Sequence, residues 1–185
     1  MGTSAARRAG LRPQRTRAPG AGLRPVEEVG IKKPLPPFRP LEVELVLPVR
    51  TYDVDFAGVV SNIVYIRWLE DLRWQLLTEY LPLERQLERG CAPVLSTLQI
   101  DYKRPIRLFD QPIRHLWIRS LGRVKWTVEA EILLEGKPAA TALQTGAFLD
   151  LSTMRPAALP DELVTEFERQ AASWKEAQRR ETDRA

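Results

Sequence analysis

Residues 49–74, VRTYDVDFAGVVSNIVYIRWLEDLRW, hold the pattern from which the rest of the chain is read. An acidic, glycine-containing loop, 52–58, runs directly into a segment of helical periodicity. Tyr65, Trp68, Leu69, Leu72 and Leu76 fall on one face of that helix, and Arg67, Asp71, Gln75 and Thr78 on the other. Arg67 and Asp71 stand one turn apart with opposite charge, a small aid to the helix. Ser61 or Asn62 is placed to cap its start, and Gly58 permits a backbone turn that a side chain resists. The N-terminus of a helix offers unpaired N–H groups and a partial positive charge. Such groups hold the oxyanion that forms when a carbonyl is attacked. Asp55, a few residues upstream, is a carboxylate suited to attack a carbonyl or to activate water. On spacing alone, Asp53 and Asp55 read equally as solvated loop acids and Gly58 as a plain turn.

Downstream of a short helix at 82–90, closed by Gly90, the period changes from helical to two. Residues 94–103 and 113–120 are strand candidates, separated by Arg104-Pro105 and followed by a Leu121-Gly122-Arg123 turn. Along 124–134, Trp126, Val128, Ala130, Ile132 and Leu134 alternate with Lys125, Thr127, Glu129 and Glu131. Glu135-Gly136-Lys137 turns the chain into a last strand, 139–151, where Gly146 marks a bulge or a close approach. Upstream, 41–50 reads as a first strand interrupted by Pro48. A helix begins after Leu159-Pro160 and carries Leu163, Phe167, Ala171 and Trp174 on one face. Strand, long helix, then an antiparallel meander is an α+β order, and a helix with one apolar face needs a sheet to cover it.

At 185 residues the chain is one domain with tails. Residues 1–40 contain nine of the 28 Lys/Arg and only two acids, with seven of the 15 prolines and five of the 10 glycines. The excess positive charge therefore belongs to this extension, while the remainder carries more acids than bases. That argues against nucleic acid as a partner of the domain. The extension is expected to be disordered. It reads as a passive tail, a transit peptide directing the chain to an organelle, or a basic arm for RNA or acidic membrane, with the passive tail and a cytoplasmic location preferred. The domain boundaries so read are 1–40, 41–170 and a charged end at 171–185. No apolar run is long enough for a transmembrane helix. A lone cysteine, Cys91, excludes an internal disulfide, and a lone histidine, His115, lies mid-strand. Ser-His-Asp or Cys-His catalysis and a zinc site all need more than that, so no metal or organic cofactor is expected.

Asp55-Phe-Ala-Gly58-Val-Val-Ser-Asn62-Ile-Val-Tyr65 resembles the Asp-x-x-Gly-[Val/Ile]-Val-x-[His/Asn]-x-x-Tyr signature of hotdog-fold thioesterases, and of the 4-hydroxybenzoyl-CoA thioesterase-like group in particular. Ile100-Asp-Tyr-Lys-Arg-Pro105 with Asp110, Leu121-Gly-Arg123, Arg155-Pro156 and Leu159-Pro160-Asp-Glu-Leu163 are similar to later family segments in the same order, over about residues 42–168. The resemblance implies a hotdog fold: a five-stranded antiparallel sheet wrapped around a long central helix, here with a C-terminal helix. It implies a homodimer or homotetramer with active sites at the subunit interface, acting on an acyl-CoA or, as the alternative, an acyl-carrier-protein thioester. Asp55 takes the position of the family's catalytic aspartate, as nucleophile or general base. The backbone amides of Asn62 and Ser61 are the implied oxyanion donors. Gly58, Val59 and Tyr65 fall at substrate-binding positions, Arg104, Arg123 and Lys125 are candidate contacts for the phosphates of coenzyme A, and Glu70 is the reserve catalytic carboxylate. Many relatives have an aromatic residue at position 61 and histidine or asparagine at 62. Ser61 and Asn62 therefore imply a reshaped acyl pocket and leave no ring for a histidine-based dehydration, which favours hydrolysis. A non-catalytic module binding acyl-CoA or protein is the remaining alternative.

Overall fold

A 19-residue helix, α1 (Asn62–Tyr80), lies across the concave face of the sheet, and its apolar stripe explains why. Val64, Tyr65, Trp68, Leu69, Leu72 and Leu76 are all buried, which is the face expected from the periodicity. The structure, a computed structural model, describes residues 37–46 and 48–183. The remaining elements are β1 (Val43–Val46), α2 (Leu83–Glu88), β2 (Cys91–Tyr102), β3 (Ile113–Leu121), β4 (Lys125–Leu134), β5 (Lys137–Asp150), β6 (Arg155–Ala157) and α3 (Asp161–Thr182).

All strands pair antiparallel in the order β1-β3-β4-β5-β2, with β6 added to the end of β5. The sheet thus has five long-path strands, as expected, and a short sixth where only an exit segment was read. β1 is four residues long rather than ten. Pro48 donates no N–H, and Val49 bonds the carbonyl of Asp110 in a loop instead. β2 starts at Cys91, earlier than the period suggested, because the chain leaves α2 through Gly90 at φ +72° and pairs at once with Asp150. Among the described residues its outer side has no strand beside it, and Val94 to Thr97 are exposed.

Leu69, Leu72, Leu76, Leu116, Ile118, Val128, Ala130 and Phe148 form the main core between α1 and the sheet. A second cluster gathers under the start of α1, from Val60, Val64, Tyr65 and Trp68 with Ile106, Ile132 and Ala140. Gly146 combines both expected features. β2 shifts register between Leu95 and Thr97 opposite it, and the indole of Trp126 lies directly over its Cα.

The described residues belong to one compact unit. Phe38 packs on Phe167 and Trp174 of α3, so the folded part starts slightly before residue 40. The N-terminal extension otherwise lies outside the described residues. Helix α3 continues through residue 170 to Thr182 without a break. No helix among the described residues is long and apolar enough to cross a membrane.

Candidate active site

The loop before α1 is built from backbone bonds that leave one carboxylate prominent. A single 3-10 turn, Thr51–Asp53, is closed by Asp53. Its N–H donates to the Arg50 carbonyl at 3.0 Å, and its Oδ2 accepts the Arg50 N–H at 2.8 Å. The Asp53 carbonyl then accepts the Ser61 N–H at 2.9 Å, joining the loop to the head of α1. Asp53 is 7% exposed, so it is a buried structural tie and not the solvated loop acid that spacing alone suggested.

Asp55 follows at the rim, half-buried. Its N–H donates to Val59 O at 2.9 Å, its carbonyl accepts the Gly58 N–H at 3.0 Å, and its Oδ1 accepts the Ala57 N–H at 2.8 Å. Gly58 closes the loop at φ +71°, a conformation costly for a residue with a Cβ. Asp55 Oδ2 has no hydrogen-bond partner among the described residues. Val59 bridges to Arg107 and Val60 bonds the carbonyl of Ile106, so the loop is also held from the β2–β3 connection.

Ser61 is the N-cap of α1, yet its side chain makes no capping bond. Its amide is taken by Asp53, which corrects its assignment as an oxyanion donor. Asn62 is the first helical residue, where an N–H has no intrahelical acceptor. Tyr65 is buried at 3% exposure with its ring 5.0 Å from Tyr102 and 5.4 Å from Trp68. Burial, reinforced by Tyr102, pushes its hydroxyl up to about 12. It supports the wall of the site rather than presenting an ionisable group.

Arg104 is not a free cation. Its Nε donates to Pro138 O at 3.2 Å, and its Nη2 to Leu134 O at 2.7 Å and Lys137 O at 2.5 Å. The guanidinium closes the β4–β5 turn, which removes it from the candidate phosphate contacts. Arg104→Ala is expected to cost about 1–2 kcal/mol in a urea melt, since three carbonyls lose a charged donor, and to leave KM for a CoA ester unchanged. Arg123 and Lys125 stay exposed at the β3–β4 turn. That turn lies at the end of the sheet where β2 begins, since Lys125 pairs with Ala147 and Ala147 with Val94. The Asp55 loop is at the opposite end, joined through Val59 and Val60 to Arg107 and Ile106 just after β2.

Near the β2 start, a cavity of about 410 Å³ opens between the second half of α1, α2 and the sheet. Leu76, Leu77, Ala92, Trp126 and Phe148 line it, and Glu70 and Arg73 supply its polar side. Glu70 pairs with Arg73, whose guanidinium also reaches the buried Gln144. Burial lowers the pKa of Arg73, and Glu70 opposes this. Glu70 therefore already has a partner. His115 sits elsewhere, its Nδ1 3.1 Å from Glu42 on β1's side of the sheet. The sequence reading assigned no role to Arg114 or Gln144, both fully buried polar residues. Period two places Arg114 on the face of Leu116 and Ile118, so that signal was present.

The model of the Thioesterase-like superfamily matches residues 49–167, from the start of the Asp55 loop to the first half of α3. The chain belongs to the thioesterase-like superfamily. Its membership makes it a hotdog-fold thioesterase. Among curated relatives it is similar to FadM, the long-chain acyl-CoA thioesterase of Escherichia coli strain K12. The two are 30% identical over 124 residues, which cover 66% of this chain and 94% of FadM. Among solved structures, the probable thioesterase YbaW of Escherichia coli superimposes with a TM-score of 0.62 at 29% identity, over 69% of this thioesterase and 97% of YbaW. A Thermus thermophilus thioesterase complexed with coenzyme A and Zn gives a TM-score of 0.60 at 27% identity, over 69% and 92% of the two chains.

Proposed function

We propose that this protein hydrolyses acyl-CoA thioesters, with Asp55 as the catalytic carboxylate and the Asn62 amide as the oxyanion donor. The observation that carries the reading is the loop itself. A carboxylate with one free oxygen is held at the rim, in a bonded loop that leads straight to the unpaired head of a 19-residue helix. Similarity to FadM supports acyl-CoA as the substrate class.

Hydrolysis then runs in one of two balanced ways. Asp55 removes a proton from water as the oxygen attacks the thioester carbon, or its Oδ2 attacks that carbon directly and water cleaves the resulting anhydride. In both, the carbonyl oxygen takes negative charge next to the Asn62 N–H and the positive end of α1. The C–S bond breaks, CoA leaves as thiolate, and the acid is released. Gly58 and Val59 shape the backbone beside the carbonyl. Arg123 and Lys125 are the remaining cations for the CoA phosphates.

The acyl group is assigned to the 410 Å³ cavity. A cavity of roughly 150 Å³ accepts benzene, so this one has room for a long alkyl or multi-ring group. Its far side is distant from Asp55 of the same chain: Asn62 and the lining residue Leu76 are fourteen residues apart on one helix, about 21 Å. Antiparallel pairing of two β2 edges removes the difficulty. The start of one β2, with its cavity and β3–β4 turn, then lies beside the end of the other, with its Asp55. A homodimer is therefore part of the proposal.

Two measurements test it. Hydrolysis of acyl-CoA esters of graded size, read with a thiol-trapping dye, is expected to show activity that rises with acyl length. Silence across that panel would end the acyl-CoA reading, and silence on carrier-protein thioesters as well would leave the non-catalytic binding module. Sedimentation is expected to give twice the 21.1 kDa chain mass, with specific activity falling on dilution as the dimer dissociates.

A further inference from the structure

The wall of the 410 Å³ cavity is mostly aliphatic and aromatic, but it is broken by a charge. Arg73 of α1 lines it, with a side chain only 16% exposed, while the side chain of its partner Glu70 is 73% exposed. The carboxylate of the pair is therefore on the solvent side and the guanidinium on the cavity side. Arg73 Nη2 donates to Glu70 Oε2, and Nη1 donates to Gln144 Oε1. Its Nε and the second hydrogen of each Nη have no acceptor among the described residues.

Two neighbours have the same imbalance. Gln144 of β5 is 0% exposed, and its Nε2 has no acceptor among the described residues. Trp126 lies diagonally from it on the inner face of the sheet, since Trp126 pairs with Gly146 and Gln144 with Val128. Trp126 lines the cavity at 7% exposure, and its Nε1 is buried without an acceptor. The unpaired groups on α1, β4 and β5 are thus all donors. Donors kept from water without an acceptor are unfavourable. A plain hydrocarbon chain in the cavity would leave all of them so, whereas a chain carrying an oxygen would supply what they lack. That oxygen is neutral. Glu70 already balances the charge of Arg73, and a second carboxylate beside it would be repelled.

We propose that the cavity selects acyl chains that carry a neutral oxygen, a hydroxyl or keto group, on the chain itself, held by the two donors on its wall, Arg73 and Trp126. This rests on reading the cavity as the acyl site of an acyl-CoA thioesterase. The oxygen in question is separate from the thioester carbonyl, which belongs to the Asn62 amide. Gln144 sets the guanidinium in place through its own carbonyl.

The test uses the full-length chain and straight-chain CoA esters of the one length it hydrolyses best, plain or with a single hydroxyl or keto group at successive carbons. At the best position kcat/KM is expected to exceed that of the plain ester by roughly 10- to 100-fold, the scale of a hydrogen bond to a charged donor. Arg73→Met keeps most of the stem and removes the donors. It is expected to bring the ratio within about threefold of one, and Trp126→Phe, which deletes one N–H, to lower it in part. Each ratio is taken within one protein, so a general loss of turnover cancels. The absence of any preferred position in the parent overturns the proposal without a variant being made. So does a preference that survives both substitutions, or a terminal carboxylate preferred over the hydroxyl. If the parent hydrolyses no ester, the thioesterase reading fails. Calorimetric titration with the same plain and hydroxylated esters still decides the inference, and equal affinities overturn it.

Discussion

Asp55→Asn is expected to lower kcat for thioester hydrolysis by roughly 10³-fold, within the range for loss of a general base, while KM stays within a few-fold. The substitution is chosen for what it preserves. An asparagine carbonyl oxygen still accepts the Ala57 N–H that Asp55 Oδ1 accepts at 2.8 Å. The turn through Gly58 and the backbone bonds to Val59 are untouched. What disappears is the negative charge on the unbonded oxygen, the one atom able to take a proton from water or to attack the carbonyl. Thermal melting and circular dichroism should therefore match the parent, so a lost rate is attributable to chemistry. Activity retained by a folded Asp55→Asn protein would move the role to Glu70. That residue is a weaker candidate, being paired with Arg73, and Glu70→Gln would then be the decisive comparison.

Gly146→Ala is expected to destabilise the fold by about 3 kcal/mol or more, the upper range for overpacking. For a chain of this size that is a fall in Tm of roughly 6–12 °C. The new methyl group would overlap two things at once, the indole of Trp126 and the backbone carbonyl of Val94. The ring has some freedom to turn, but the carbonyl belongs to the edge strand β2 at its register shift. Adding Trp126→Ala should consequently restore only part of the loss. A thermal melt of the two single variants and the double variant gives the coupling directly. Full restoration would mean that β2 itself yields.

Much of the architecture could be read from periodicity because burial imposes it. Tyr65, Trp68, Leu69, Leu72 and Leu76 had to face a sheet, and they do. The alternation in β4 was as clear, since Trp126, Val128, Ala130 and Ile132 are its buried side. Strand ends were less legible. Whether Pro48 ends a strand or bulges it depends on what lies opposite, and β6 is three residues long, too short to show a period. The candidate site was legible only in part. A sequence shows that Arg104 is a cation beside a turn, but not that three carbonyls from the β4–β5 connection converge on it. It offers Ser61 and Asn62 as equivalent helix-head residues. The distinction between them comes from the Asp53 carbonyl, which a loop of different curvature would have aimed elsewhere.

Both extremities of the folded unit close on one another. Phe38 sits against Phe167 and Trp174, the Leu41 N–H donates to Gln170 Oε1 at 2.8 Å, and Arg39 bonds Glu131 at 2.6 Å. Phe38 and Leu41 find their partners on α3, for Leu41 129 residues further along the chain. While the chain is still emerging from the ribosome, Arg39 and Pro40 can already dock on β3 and β4, but Phe38 and the Leu41 N–H must wait for helix α3. The last contacts of the fold therefore form only after α3 has been made, and a chain stalled or clipped before α3 would leave Phe38 and the start of β1 without them.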